Sequence, residues 1–151
     1  MELQWGEFII STNKDALSLD VISGFLTMTY WAKKRPLEVI MKSIENSICF
    51  GVYHNNRQVG FARVITDNAT MFYLSDVFII PEYQGRGLGK WLVSSIVNDK
   101  RFTSLNGILG TQDAEGLYEK FGYVVPQKPR VLMFRMPLKK SDTKPGEITN
   151  D

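Results

Sequence analysis

The sequence predicts an α/β (α+β) fold in which one mixed, mostly antiparallel central sheet is flanked by helices. Three observations predict it. Two segments with helical hydrophobic spacing follow a first short strand, and three strand patterns joined by tight turns come next. Helix and strand patterns then alternate towards the C-terminal end. This order of elements is typical of a mixed sheet.

Local patterns define the elements in chain order. Apolar residues recur at three- and four-residue spacings in two early segments, and either Asn13 or Asp15 is placed to cap the first of these helices. Pro36 suits the first turn of the second helix. Asn55 and Asn56 suit the positive φ angles of a hairpin turn. The predicted order is strand 8–12, helices 17–26 and 37–46, strands 47–53, 58–66 and 71–80, helix 88–96, strand 108–111, helix 114–121, and strands 124–125 and 131–136.

Length and composition indicate one soluble globular domain. The chain has 151 residues, of which 44% are hydrophobic and 23% charged, so it can bury a substantial core. We expect a single domain over 1–138, and we expect the polar segment 139–151 to be disordered. A net charge of +2 gives no reason to expect nucleic acid or an anionic membrane as a partner.

Cysteine and histidine usage narrows the possible chemistry. The single cysteine, Cys49, lies in an apolar run and is expected in the core, so no internal disulfide is expected. Because His54 is the one histidine, we expect neither a metal site nor a Cys–His nucleophile pair. The sequence has no membrane-spanning apolar run, and its N-terminus lacks the basic start and apolar core of a signal peptide. We therefore expect a cytoplasmic protein.

The segment 74–96 combines a strand, a glycine-rich loop and a helix. Its apolar run 77–80 is stopped by Pro81, which lacks the N–H that a central strand needs. In the loop 84–90, glycines allow the backbone to approach an oxyanion closely. The N–H groups and dipole at the start of the following helix favour negative charge. The segment therefore predicts an anion-binding site.

The spacing of the glycines distinguishes between kinds of phosphate loop. Gln84 and Trp91 stand where a P-loop needs glycine and a hydroxyl, and Lys90 stands where a dinucleotide fingerprint needs glycine or alanine. A nucleotide-binding regulator is therefore disfavoured. What does fit is the pattern Gln84-x-x-Gly87-x-Gly89 directly after a strand, which resembles the coenzyme A pyrophosphate loop of the GNAT N-acetyltransferases.

This resemblance implies a GNAT-like fold over roughly 8–138 and acetyl-CoA as the acyl-donor co-substrate. It implies that strand backbone groups pair with the pantetheine arm, and that one N–H polarises the thioester carbonyl. The loop would hold the pyrophosphate mainly through main-chain donors, with added charge from Arg86 and Lys90. The cofactor-binding residues implied in this way are Val77, Phe78, Ile79, Gln84, Gly85, Arg86, Gly87, Leu88, Gly89 and Lys90.

A second motif lies at 117–123, which reads LYEKFGY and resembles the Leu-Tyr-x-x-x-Gly-Phe/Tyr motif of the same family. The resemblance implies that Tyr118 is catalytic and donates a hydrogen bond or proton to the departing coenzyme A sulfur. A phenol, with a pKa of about 10, is protonated at neutral pH and suits this role. The alternative is a tyrosine that only packs its ring. We expect Asp113 to cap this helix and Gly122 to end it, while Thr111 replaces a cofactor-binding Asn of the family.

The acceptor side is less defined by the sequence. Tyr30, Trp31 and Arg35 lie in the connection between the first two helices, which is either a solvated loop or a wall facing the substrate. Asp76 lies in an apolar strand that could raise its pKa by desolvation, or it is paired with a neighbour such as Arg63. We include it with the acceptor-side residues, and no residue is selected as the general base.

The leading hypothesis is an acetyl-CoA-dependent N-acetyltransferase in which a primary amine attacks the thioester directly. The alternative is a non-catalytic acyl-CoA-binding module of the same fold, which would not need the Tyr118 hydroxyl. The expected partner is a small-molecule or peptide amine, and the expected assembly is a monomer or homodimer.

Overall fold

The computed structural model describes residues 1–127, 132, 133 and 135. In this part of the chain, six strands form one sheet in sequential order. Each of the first four strands pairs antiparallel with the next, and the last pair, β5 with β6, is parallel. The strands are β1 Glu2–Trp5, β2 Phe8–Ser11, β3 Ile48–His54, β4 Arg57–Thr66, β5 Met71–Ile79 and β6 Asn106–Ile108. The helices are α1 Leu19–Leu26, α2 Leu37–Glu45, α3 Leu88–Val97 and α4 Glu115–Tyr118, with short 3₁₀ turns at Lys14–Ala16, Pro81–Tyr83 and Glu119–Phe121.

The predicted α/β class and mostly antiparallel sheet are confirmed. Strand β1 was not predicted; it pairs with β2 through the turn at Gly6, where φ is +58°. The hairpin turn between β3 and β4 has positive φ at Asn55 and Asn56, as expected. Because β3 and β4 are buried at nearly every position, both faces of the sheet centre are covered.

Helix α1 begins differently from the prediction. Ser18 caps it, with its Oγ accepting from the N–H of Val21 at 3.4 Å. Asn13 instead caps the preceding 3₁₀ turn, where its Oδ1 accepts from the N–H of Asp15 at 3.1 Å. The prediction that Asn13 or Asp15 caps α1 is therefore wrong, because the short turn separates them from the helix. Pro36 is the N-cap residue of α2, one position before the first turn in which it was expected.

The core lies between the sheet and the apolar helix faces. Ile22 of α1, Ile40 of α2 and Leu92 of α3 are 0–1% exposed and pack in one hydrophobic cluster with residues of the strands. Cys49 belongs to the same cluster, as predicted, and burial raises the pKa of its thiol to about 11. A thiol with this pKa is not a nucleophile at neutral pH, so its role is packing.

A bulge interrupts the pairing of β4 with β5. Phe61 pairs with Phe78 and Arg63 pairs with Ser75, so two residues of β5 stand opposite the single residue between Phe61 and Arg63. One of these two is Asp76, whose φ is +52°. A bulge bends its strand and redirects side chains, and here it places the Asp76 carboxylate in the interior.

The C-terminal part departs most from the sequence prediction. Strand β6 begins at Asn106 rather than 108, because its pairing starts beside Met71, and it is largely exposed instead of buried. Val124 and Val125 are 80% and 70% exposed and form no strand, since no neighbouring strand of the described chain reaches them. The predicted strand 131–136 and tail 139–151 lie largely or wholly outside the described residues.

No helix in the described ranges combines the length and apolar character needed to cross a bilayer.

Candidate active site

The regions singled out in the sequence converge on a cavity of about 1120 Å³. It is bounded by β5, the start of α3, the connection between α1 and α2, and the segment 109–118. Of the predicted site residues, those that line it are Tyr30, Trp31, Arg35, Asp76, Val77, Phe78, Ile79, Gln84, Gly85, Gly87, Leu88, Gly89, Lys90 and Tyr118. The predicted site residues that line the cavity are up to 88 positions apart in sequence, between Tyr30 and Tyr118.

The glycine-rich loop has the backbone geometry of an anion-binding site. Gly85 and Gly87 have φ angles of +75° and +82°, which favour glycine. Gly87 is the N-cap residue of α3 and provides no side-chain cap. The first-turn N–H groups of Leu88, Gly89 and Lys90 therefore lack intrahelical acceptors and can bind an oxyanion.

Some side chains around the loop make structural contacts, and others line the cavity. Gln84 Nε2 donates to the carbonyl of Ile79 at 2.8 Å and ties the loop to the end of β5. Lys90 lines the cavity, so its ammonium can add positive charge. Arg86 does not line it: its guanidinium lies 4.9 Å from the centre of the Tyr83 ring and donates to the carbonyl of Glu82 at 3.3 Å.

The edge of β5 opens next to this loop. Parallel pairing with β6 covers β5 only from Met71 to Tyr73, where Tyr73 pairs with Ile108. Beyond that point the segment 109–113 leaves the sheet and becomes a wall of the cavity. The edge of Val77–Ile79 that faces away from β4 therefore has no strand beside it in the described chain. An extended ligand can add here as a strand, through main-chain hydrogen bonds.

Tyr118 is the last residue of α4 and lines the same cavity as this open edge. Its ring is half-buried and packs edge-on against Tyr123, with 5.9 Å between ring centres. Burial, followed by the charges of Tyr30 and Asp113, raises the pKa of the Tyr118 phenol. The hydroxyl is therefore protonated at neutral pH and is a proton donor rather than a base.

The cap of α4 is not the predicted one. Ala114 occupies the N-cap position without a side-chain hydrogen bond. Thr111 Oγ1 instead accepts from the N–H groups of Asp113 at 3.4 Å and Ala114 at 3.0 Å. Asp113 is left free to line the cavity. Gly122 ends the helical segment with φ +84°, as predicted.

Asp76 is the centre of a buried polar cluster. Its Oδ2 accepts from Arg35 Nη1 at 2.7 Å and from Arg63 Nε at 2.9 Å, and its Oδ1 accepts from Trp31 Nε1 at 3.2 Å. Arg63 also donates to the hydroxyls of Ser47 and Ser75, each at 3.2 Å. Three donors therefore occupy both carboxylate oxygens.

The cluster decides between the two interpretations of Asp76. Burial is the largest single influence and raises its pKa, but the hydrogen bonds and charges of Arg35 and Arg63 together outweigh it, so the pKa lies below its usual value. The expectation of a raised pKa is wrong, and pairing with Arg63 is correct. Since the folded pKa is lowered, the cluster stabilises the fold above the usual aspartate pKa of about 3.9 and loses this effect at more acid pH.

The connection between α1 and α2 forms a wall of the cavity, and hydrogen bonds to two other parts of the chain hold it in place. Asp76 holds Trp31 and Arg35, while the hydroxyl of Tyr30 accepts from the N–H of Gln112 at 3.2 Å across the cavity. The rings of Tyr30 and Trp31 meet edge-on with 5.0 Å between centres. These contacts show that the connection is not a freely solvated loop.

Several lining residues were missed by sequence reasoning. Phe25 of α1 stacks on Phe78 at 4.0 Å between ring centres, and Tyr83 is oriented by a 3.0 Å hydrogen bond between its hydroxyl and His54 Nδ1. Phe25 had the sequence signal of an ordinary core residue. The His54–Tyr83 contact joins positions 29 residues apart and had no local signal. Among the described residues, no group of three or more potential ligands is arranged to hold a metal ion.

Fold and cavity together define a mixed-sheet protein with an open strand edge that leads to an anion-binding helix start. A GNAT acetyltransferase domain model matches residues 45–125. A Xanthomonas campestris pv. campestris protein assigned to the GNAT acetyltransferases is 38% identical and superimposes with a TM-score of 0.83, over 93% of this chain and 100% of that one. The chain belongs to the GNAT acetyltransferase family.

Two further comparisons agree with this family. A Gibberella zeae protein assigned as an acetyltransferase is 34% identical over 114 residues, which are 62% of this chain and 64% of that protein. The chain thus spans just under two thirds of this curated relative. A GNAT family acetyltransferase from Elizabethkingia anophelis, solved with acetyl-CoA bound, shares the fold at 15% identity, with a TM-score of 0.61 over 82% of this chain and 80% of that one.

The Asp76 cluster generates a stability prediction. Asp76→Asn preserves side-chain size, and Asn tolerates positive φ. The change leaves the buried guanidinium of Arg63 and the partly exposed one of Arg35 without their counter-charge. We expect the free energy of unfolding to fall by about 3–5 kcal/mol. Urea denaturation measures this loss.

The matched control is Glu82→Gln, which removes a carboxylate from the exposed pair with Arg57 at 3.7 Å and should change stability little. Equal stability of the two variants would contradict a structural role for Asp76.

Proposed function

We propose that the protein is an acetyl-CoA-dependent N-acetyltransferase that transfers the acetyl group directly to a primary amine. This proposal rests on one observation: the open β5 edge, the free N–H groups of α3 and the Tyr118 phenol all line the same cavity. A phosphate-binding helix start beside an unpaired strand edge suits a long ligand with an anionic end and an amide-containing arm. Family membership supports the same chemistry.

The chain provides two surfaces for the cofactor. N–H groups of Leu88, Gly89 and Lys90 would bind the pyrophosphate, and the Lys90 ammonium would add charge. Main-chain groups of Val77–Ile79 would bind the pantetheine arm as an added strand. When bound, acetyl-CoA supplies the activated thioester that an amine can attack.

Tyr118 would assist the departure of the thiolate. As the carbon–sulfur bond breaks, negative charge develops on sulfur, and a protonated phenol can donate to it. The raised pKa of Tyr118 keeps this proton in place across the neutral range. Placement of this hydroxyl in the cavity favours an enzyme over a pure acyl-CoA-binding module.

No side chain in the described part of the cavity is suited to act as general base. The Asp76 carboxylate accepts three hydrogen bonds and has a lowered pKa. Asp113 is exposed to solvent. We propose that the acceptor amine loses its proton to water before it attacks, so the enzyme selects the neutral amine from solution.

The direct test is thiol release from acetyl-CoA with a panel of amines, followed by mass spectrometry of the acetylated product. Release that depends on an added amine supports the proposal. Tight acetyl-CoA binding without release for any amine would instead support the non-catalytic module.

Cofactor binding should depend on the open space above Gly89. A Cβ at Gly89 would meet no protein atom nearer than Ile79 Cγ1 at 3.9 Å, so Gly89→Val should fold. The added branch should block the pyrophosphate and weaken acetyl-CoA binding at least about 10-fold, or 1.4 kcal/mol. Calorimetry measures the affinity.

Gly24→Val is the matched control, because Gly24 is also helical and has no atom within 4 Å of an added Cβ. Unchanged affinity in folded Gly89→Val would exclude the proposed pyrophosphate site.

Tyr118→Phe should fold and bind acetyl-CoA nearly normally, because the ring still packs against Tyr123. Loss of the proton donor should lower kcat by about 10²–10⁴-fold, with little change in acceptor KM. Tyr123→Phe is the control, since its hydroxyl is buried without a hydrogen-bond partner in the described chain. If Tyr118→Phe keeps full kcat, or loses kcat and acetyl-CoA affinity together, Tyr118 is not the donor.

The pH dependence of kcat/KM should reflect the titration of the acceptor amine rather than that of an enzyme carboxylate. As pH rises, kcat/KM should increase with deprotonation of the acceptor amine, and Asp76, already ionised, should add no inflection. Because the pKa of Tyr118 is raised, loss of its proton should reduce the rate only above about pH 10. A fall centred below about pH 9 that is absent in Tyr118→Phe would contradict this assignment.

A further inference from the structure

We propose that the acceptor amine also carries an oxyanion, a carboxylate or phosphate group, and that Arg35 binds this anion at the cavity end remote from the glycine-rich loop. This inference rests on the proposed acetyltransfer and specifies its substrate class. Asp76 marks this end and lies three residues before Ile79, or about 10 Å along an extended strand. The anion would therefore bind well away from the pyrophosphate.

Arg35 has donors available for a ligand. A guanidinium has five N–H donors, and among the described residues Arg35 uses one, from Nη1 to Asp76 at 2.7 Å. Its side chain lines the cavity and is 21% exposed. A planar guanidinium with unused donors is suited to bidentate binding of carboxylate or phosphate.

The charge around Arg35 is positive. Arg35 and Arg63 share the single carboxylate of Asp76, so two positive charges and one negative charge leave a net charge of +1. Arg63 is the more buried of the two, with its side chain 9% exposed, and its remaining contacts are to Ser47 and Ser75. Arg35 therefore presents the excess charge to the cavity.

This arrangement disfavours a purely cationic acceptor. The Asp76 side chain is 1% exposed, accepts three hydrogen bonds and has its charge balanced by two arginines, so it is poorly placed to bind an ammonium group. Asp113 lies across the cavity in the segment that leads to Tyr118. A zwitterionic acceptor fits this distribution, with its amino group towards Tyr118 and its anion at Arg35. The exposed rings of Tyr30 and Trp31 beside Arg35 offer apolar contact for the part between.

The experiment compares amines that differ in one anionic group. One arm uses L-amino acids against their C-terminal amides, and the other uses glucosamine 6-phosphate against glucosamine. We measure kcat/KM by thiol release and confirm the products by mass spectrometry. A preference of at least about 10-fold for the anionic member of either pair supports the inference, consistent with hydrogen bonds to a charged group. The arm in which it occurs identifies carboxylate or phosphate.

Arg35 variants test the residue itself. Arg35→Gln should lower the ratio of kcat/KM between the anionic and the uncharged member of a pair at least about 10-fold, and Arg35→Lys should retain part of the preference because charge remains. Arg57→Gln removes an exposed arginine and should leave the preference intact. An equal loss for both members of a pair would show that Arg35 only supports the fold, and would overturn its assignment.

Failure of this inference is distinguishable from failure of the proposed function. Turnover of amines without preference for an anionic group in either arm would overturn the substrate class and leave acetyltransfer standing. Absence of turnover for every amine in the panel would overturn the proposed function, and the substrate class with it.

Discussion

The cavity depends on one buried carboxylate. Asp76 is 5% exposed and holds Trp31 and Arg35 from the connection between α1 and α2 against β5, while Arg63 holds it from β4. A buried ion pair of this kind does not necessarily stabilise a fold relative to apolar packing, but removal of one partner leaves an uncompensated charge. The cluster fixes the position of the connection between α1 and α2, because this wall of the cavity cannot move without breaking these hydrogen bonds.

The bulge in β5 lies between this cluster and the strand end that leads to the glycine-rich loop. At the bulge, two residues of β5 stand opposite one residue of β4, and Asp76 has a positive φ angle. The bulge bends the strand at this point and turns the Asp76 side chain towards the interior. Past the bulge, β5 continues to Ile79 with no strand on its outer edge, and Gln84 ties that end to the glycine-rich loop at 2.8 Å. The same strand thus holds one wall of the cavity through the Asp76 side chain and, within the described chain, leaves the outer edge of its main chain unpaired along the cavity at Val77–Ile79.

Sequence reasoning was strongest where the chemistry is local. The loop 84–90 and the following helix were predicted because glycine spacing and hydrophobic periodicity lie within one short stretch. It was weakest where contacts join distant segments. The expectation of a raised pKa for Asp76 was wrong because Arg35, which binds Asp76 and lowers this pKa, is 41 residues away in sequence. The prediction that Asp113 caps α4 was wrong because the Thr111 hydroxyl accepts from the N–H groups of Asp113 and Ala114.

The sequence by itself determined the fold class, the glycine-rich loop followed by a helix, the position of Tyr118 on a short helix and the core role of Cys49. Each of these follows from residue types and spacings that act over a few positions. Only the tertiary structure decided that Arg86 lies against Tyr83, that β5 and β6 separate beyond Tyr73, and that Asp76 is an ionised carboxylate held by three hydrogen bonds. These depend on which side chains meet across the sheet, and electrostatic energies in a buried cluster are set by distance in space rather than in sequence.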